Sequence, residues 1–83
     1  MNLTHLIAAA RLAREASQGR RTIEIVVTEI GVIVRGWIAI AGGHRSAPSY
    51  DVTWAELSAA EDLASNAVCL VDRRLSAMEG AAS

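Results

Sequence analysis

The sequence predicts an α+β domain of the order αββ(β)α, a small antiparallel sheet with two helices packed on one face. Three observations predict it. Two β-patterned runs, Thr22–Glu29 and Val32–Ala41, alternate along the chain as half-buried strands do. Amphipathic helical patterns flank them, over Leu3–Gln18 and from Thr53 to Met78. The chain has 83 residues, so it makes one domain, 1–83, because domains usually run ~50–200 residues. Two helical stripes and one inward strand face then close a two-layer core.

In the first helix, Asn2 serves as cap. Leu3, Leu6, Ala10, Ala13 and Ser17 recur at helical spacing, and Ile7, Ala9, Leu12 and Ala16 broaden the stripe. Thr4, Arg11, Glu15 and Gln18 lie opposite, and Gly19 stops the helix. In the first strand, Ile23, Ile25 and Val27 alternate with Thr22, Glu24, Val26 and Thr28. Ile30-Gly31 reads as the turn. The second strand then returns with Val34 facing Val27, Gly36 facing Ile25 and Ile38 facing Ile23. A slip by one residue would bury Arg35 and Glu24, which favours this register.

Gly42-Gly43 is a second turn signal, after which His44–Thr53 forms a third strand with Tyr50, Val52 and Trp54 inward. Pro48 confines that segment to a sheet edge, or to a loop ending in a short strand. The last helix offers two capping boxes, Thr53-Trp54-Ala55-Glu56 and Ser58-Ala59-Ala60-Glu61. Its buried stripe is Ala60, Leu63, Ala64, Ala67, Val68, Leu70, Val71, Leu75 and Met78. Arg73 and Arg74 suit its end, Gly80 stops it, and Ala81–Ser83 frays.

Composition narrows the function. Hydrophobic residues make up 52% of the chain, too many for a disordered segment. The net charge of −1 steers toward neither nucleic acid nor an anionic membrane. All eight basic residues are Arg, which makes bidentate, weakly hydrated contacts. The single cysteine, Cys69, excludes an intramolecular disulfide and fits a reducing cytoplasm. It reads as a small residue tucked at the edge of the helical stripe. Met1–Ala13 lacks the basic segment of a signal peptide, and no apolar run reaches the ~20 residues of a membrane span. The expectation is a soluble cytoplasmic protein.

Catalytic patterns are missing. The chain has no Gly-x-Ser-x-Gly elbow, no spacing of ligands for a metal and no phosphate-binding glycine loop. His44, Ser46 and Asp51 are too ordinary a trio to make a triad. No enzyme activity, cofactor or metal is expected.

The outer face of the sheet is the candidate site. On the register above it carries Glu24, Val26, Thr28, Ile33, Arg35, Trp37 and Ala39, with Val26 opposite Arg35 and Glu24 opposite Trp37. A solvated sheet face is mostly polar, whereas this one groups apolar side chains around an Arg. Trp and Arg are the residue types most enriched at binding hot spots. Trp37 is therefore read as an apolar anchor, Arg35 as a donor, Val26 and Ile33 as their surround, and His44, Arg45 and Tyr50 as the rim. The competing reading lays Trp37 flat on its own sheet under the Arg35 stem.

The order helix–three strands–helix resembles the double-stranded-RNA-binding domain. That family grips phosphates with a Lys-rich start to its second helix. Here the matching stretch, Glu56-Leu57-Ser58-Ala59-Ala60-Glu61-Asp62, is acidic, which argues against RNA as a ligand. As an Ala-rich, motif-free α+β chain, the whole sequence is similar in general style to small accessory proteins of phages and mobile elements, anti-CRISPR proteins and inhibitors of host pilus or signalling machinery among them. No single residue carries over. The resemblance implies binding to, and blocking of, a larger host protein without catalysis. A homodimer is expected, and a structural homo-oligomer or small subunit of a larger assembly is the alternative function.

Overall fold

A computed structural model describes residues 3–82, with the side chains of 3–80. The order is α1 (Leu3–Ala16), β1 (Arg21–Val27), β2 (Gly31–Ile40), β3 (Gly43–Ser46), β4 (Tyr50–Thr53), α2 (Trp54–Ala59) and α3 (Leu63–Ala82). The sheet is antiparallel with β2 at its centre: β1 lies on one side, and β3 and β4 share the other. α1 packs over β1, α3 over β2, and the two helices pack on each other. The α+β fold with helices on one face is the one the sequence predicts. The expected Asn2 cap lies outside the described residues, as does Ser83.

The core is a thin aliphatic layer. Ile23, Val32, Val34, Ile38 and Val52 from the sheet meet Ala9 and Ala13 of α1 and Ala64, Ala67, Val68, Val71 and Leu75 of α3. Small residues let the helices approach the backbone of β2. At Gly36 a Cβ would lie 2.6 Å from Val71 Cγ1 and 3.0 Å from Leu75 Cδ1.

The hairpin register differs from the expected one by two residues. Val27 pairs with Val32, Ile25 with Val34 and Ile23 with Gly36. The turn is Glu29-Ile30, closed by the Thr28 N–H donating to the Gly31 carbonyl at 2.8 Å. The Thr28 hydroxyl accepts from the N–H groups of Ile30 and Gly31 at 3.2 and 3.1 Å, a side-chain-stabilised turn. Gly31 serves a different purpose from the one its sequence context suggests. A Cβ there would overlap the Val52 carbonyl oxygen and sit 2.7 Å from Thr53 Cα, so glycine admits β4 rather than bending the chain. A shift by two preserves the alternation, and every residue stays on its expected face.

The expected third strand splits in two. β3 pairs with the end of β2 (Trp37↔Ser46) and β4 with its start (Val34↔Tyr50). Ala47, Pro48 and Ser49 interrupt them with one residue more than the ladder needs, as in a bulge, and the Ala47 N–H still reaches the Gly36 carbonyl at 2.9 Å. The β2–β3 turn is Ala41-Gly42 rather than Gly42-Gly43, with Gly42 at φ +86°, a conformation that favours glycine.

The last helix also splits. Thr53 forms the capping box of α2: Glu56 N–H donates to its Oγ1 at 3.1 Å, and Thr53 N–H donates to Glu56 Oε1 at 3.0 Å. The backbone N–H of Thr53, and then its side chain, hold the Glu56 carboxyl below its ordinary range. Ser58 starts no helix, since its hydroxyl donates to the Trp54 carbonyl at 3.0 Å and Ala60 turns extended, ending α2. α3 runs past Gly80 to Ala82, so Gly80 is not the stop. Arg73 and Arg74 stand within the helix rather than at its end. Leu70, expected in the buried stripe, is exposed, and Cys69 is exposed rather than tucked.

Arg21 anchors the start of β1 to α3. Its Nη1 donates to Asp72 Oδ1 at 2.6 Å, and its Nε and Nη2 donate to the two Glu79 oxygens at 3.0 and 3.2 Å. This bidentate fork holds the Glu79 carboxyl below its ordinary range and raises Arg21 further.

Candidate functional site

Among the described residues, no helix lies over the outer sheet face. β1 contributes Thr22, Glu24 and Val26; β2 contributes Ile33, Arg35, Trp37 and Ala39. The ladder sets them in rows: Thr22↔Trp37, Glu24↔Arg35 and Val26↔Ile33. Glu24 therefore faces Arg35, and Val26 faces Ile33, which corrects the pairings expected from the sequence. The observed pairing is the better one, because opposite charges and apolar pairs both stabilise cross-strand neighbours.

Arg35 Nε donates to Glu24 Oε1 across the ladder. The pair is partly exposed and contributes little to stability, but it ties the Arg35 guanidinium to the neighbouring strand. Val26 and Ile33 form a half-buried apolar step on one side of it. On the other side Trp37, half-buried, meets the exposed ring of His44 at a centroid distance of 6.3 Å and a tilt of 54°, within the favoured range for aromatic pairs. The arrangement is an apolar step, a neutralised ion pair and an aromatic pair in sequence across one surface.

Of the expected site residues, the structure brings together Val26, Ile33, Arg35, Trp37 and His44. It does not bring Arg45 or Tyr50 to them. Arg45 pairs with Ile38 and Tyr50 with Val34, both buried on the helix side, so both point to the opposite face. Tyr50 packs against the core, and Arg45 is exposed. The bulge before β4 is what makes side-chain direction hard to count along this segment.

A second surface escapes the sequence reading. Leu3, Ile7 and Val27 are assigned to the core by periodicity, yet all are exposed. With Leu6, Ala10 and Ile25 they line an open apolar groove where α1 crosses β1. The available signal is the run Ile25-Val26-Val27, apolar on both faces where one face should be wet.

Trp54, in contrast, is structural. Its Nε1 donates to the Glu29 carbonyl at 3.0 Å and its backbone N–H to the Ile30 carbonyl at 3.1 Å, tying α2 to the first hairpin. Among the described residues no cluster of three or more His, Cys, Asp or Glu is arranged to hold a metal, and no helix is long and apolar enough to cross a membrane.

No protein-family model, curated protein or solved structure matches the chain.

Proposed function

We propose that this chain is a non-enzymatic protein-binding module that docks through the uncovered face of its sheet onto a larger host protein. It acts as an inhibitor or modulator of the phage-accessory type, in the cytoplasm. One observation carries the reading: a sheet face that no helix covers among the described residues presents Trp37 and His44, Arg35 held by Glu24, and the Val26–Ile33 step side by side. Trp37 is the anchor that inserts into an apolar pocket of the partner. Arg35 is a donor whose geometry is set before binding, which lowers the ordering cost of the contact. His44 widens the aromatic surface, while Arg45 and Tyr50 belong to the other side and take no part.

The test is an affinity capture from bacterial lysate, comparing wild type with an Arg35→Ala/Trp37→Ala variant shown by circular dichroism to be folded. One protein should be retained by wild type and lost by the variant. Equal retention by both excludes the outer face as the docking surface.

The structural homo-oligomer is a second reading, favoured by a separate observation: β1 has no neighbour on its outer edge among the described residues.

A further inference from the structure

The backbone groups of β1 point alternately to β2 and away from it. The Thr28 N–H donates to the Gly31 carbonyl and the Ala39 N–H to the Arg20 carbonyl, both at 2.8 Å. Even-numbered residues therefore face β2, and the odd-numbered ones face the open edge. Ile23 is served on both its groups and Arg21 on its N–H. Arg21 N–H donates to the Gln18 carbonyl at 3.1 Å. Ile23 is closed by Ser17, whose hydroxyl accepts from the Ile23 N–H at 3.0 Å and shares its proton between the carbonyls of Ala13, at 2.6 Å, and Ile23, at 3.2 Å. Past the end of the strand, the Glu29 carbonyl is held by Trp54. Between Ile23 and Glu29, what stays open among the described residues is Ile25 and Val27, each with one N–H and one C=O.

We infer that a second copy of this chain pairs with that open edge, antiparallel, about a two-fold axis through Val26. In this register Ile25 of each copy exchanges both hydrogen bonds with Val27 of the other, so each copy satisfies its two open donors and two open acceptors. Neighbouring registers fail at one end. Centring on Ile25 calls on Ile23, whose groups Ser17 occupies; centring on Val27 calls on Glu29, whose carbonyl Trp54 holds. The edge is thus self-complementary, as an isologous contact requires.

The side chains fit the same axis. On the outer face Val26 meets its own copy and Glu24 comes beside Thr28, so no like charges oppose one another. On the helix side the exposed Leu3 (63%), Ile7 (53%) and Val27 (66%) of one copy come against the same groove of the other. The molecule has surface to bury: it exposes 5263 Å², against ~4,800 Å² for a typical folded monomer of this size. Its radius of gyration is 13.0 Å, where ~12 Å is usual for this length. A foreign strand would satisfy the four backbone groups equally well. The second copy is favoured because the two-fold register meets both blocked ends and matches groove to groove. Arg35 and Trp37 stay free, so the inference stands without the docking reading, and it deepens the homo-oligomer reading, which rests on the same open edge of β1.

The test uses the full chain with Cys69→Ser, carrying either Val26→Cys or Ile33→Cys. Ile33 shares the outer face but lies one strand further from the axis. Mild oxidation should cross-link Val26→Cys to itself quickly, since facing residues of a pair without mutual hydrogen bonds place their Cα atoms ~4.5 Å apart, a span a disulfide bridges. Ile33→Cys should stay monomeric on a non-reducing gel. In light scattering the Cys69→Ser parent should be dimeric, and Val27→Pro should weaken the dimer by roughly tenfold or more through lost hydrogen bonds. Proline at this position removes an N–H that the chain's own sheet does not use. Val27→Lys, which leaves the backbone unchanged, is the parallel variant should the proline disturb folding. A parent that is monomeric at all concentrations, with neither cysteine cross-linking, overturns the inference. Cross-linking through Ile33→Cys overturns it as well, because it places the contact on the outer face.

Discussion

Substituting Gly36 by Ala tests how closely α3 lies on the sheet. The added methyl would stand 2.6 Å from Val71 Cγ1, 3.0 Å from Leu75 Cδ1 and 3.1 Å from the Thr22 carbonyl oxygen. Val71 and Leu75 are both fully buried, so neither has open space to move into. Overpacking of this kind costs ~1–3 kcal/mol. The alanine also restricts the unfolded chain, which offsets ~0.4–1 kcal/mol. The net expectation is a loss of ~1–2 kcal/mol, or ~5–15 °C in Tm for a domain of this size, read by urea and thermal unfolding under circular dichroism. Val71→Ala alone should cost ~2–3 kcal/mol through lost burial and a cavity. In the double variant the methyl added at position 36 moves into the vacated space, so the two losses should fall short of additivity by ~1 kcal/mol. A Gly36→Ala variant as stable as wild type, or a strictly additive cycle, would refute the close packing of α3 on β2.

Three further outcomes follow from particular contacts. Arg21 holds the Glu79 carboxyl below its ordinary 4.5, so its folded pKa lies under its unfolded one. That contribution is complete above about pH 4.5 and fades as pH falls through the folded value. Wild type should therefore exceed Glu79→Gln in stability at neutral pH and converge with it in acid; a gap that widens in acid contradicts the ion pair. Thr53→Ala removes the α2 cap and should cost ~1 kcal/mol, while Ser58→Ala, at a position that caps nothing, should cost less than half as much in parallel denaturation curves. Trp37→Ala should destabilise by well under the ~3–5 kcal/mol of a core aromatic deletion, since the ring is only half-buried; a loss within that range would place Trp37 in the core.

Periodicity locates the helices and the first two strands because it follows directly from burial. Alternation in Thr22–Thr28 and Val32–Ala41 places Arg35 and Trp37 on the outer face, and a two-residue error in register leaves that placement intact. Register itself is harder to read, because Gly31 looks like a turn residue but leaves room for the Val52 carbonyl, a contact between segments far apart in sequence. The break between α2 and α3 is equally hidden: two capping boxes compete for one helix start, and only the packing of Trp54 on the hairpin selects Thr53. Leu3, Ile7 and Val27 match a buried pattern in every local respect. Their exposure arises because α1 crosses β1 at the sheet's edge and nothing among the described residues closes the groove beyond it. Ser17, read as part of the helical stripe, serves as the cap on Ile23 instead, a role set by the left-handed turn at Gly19, φ +62°, that brings β1 back beside α1.

The most direct measurement for the outer face is a calorimetric titration of the captured host protein, once purified, with wild type, Trp37→Ala and Leu3→Ala/Ile7→Ala. A hot-spot anchor costs ~2 kcal/mol or more when truncated, about a thirtyfold rise in Kd. Docking through the sheet predicts that rise for Trp37→Ala and an affinity near that of wild type for Leu3→Ala/Ile7→Ala. Unchanged affinity for Trp37→Ala, with the loss falling on the α1 variant instead, would contradict it.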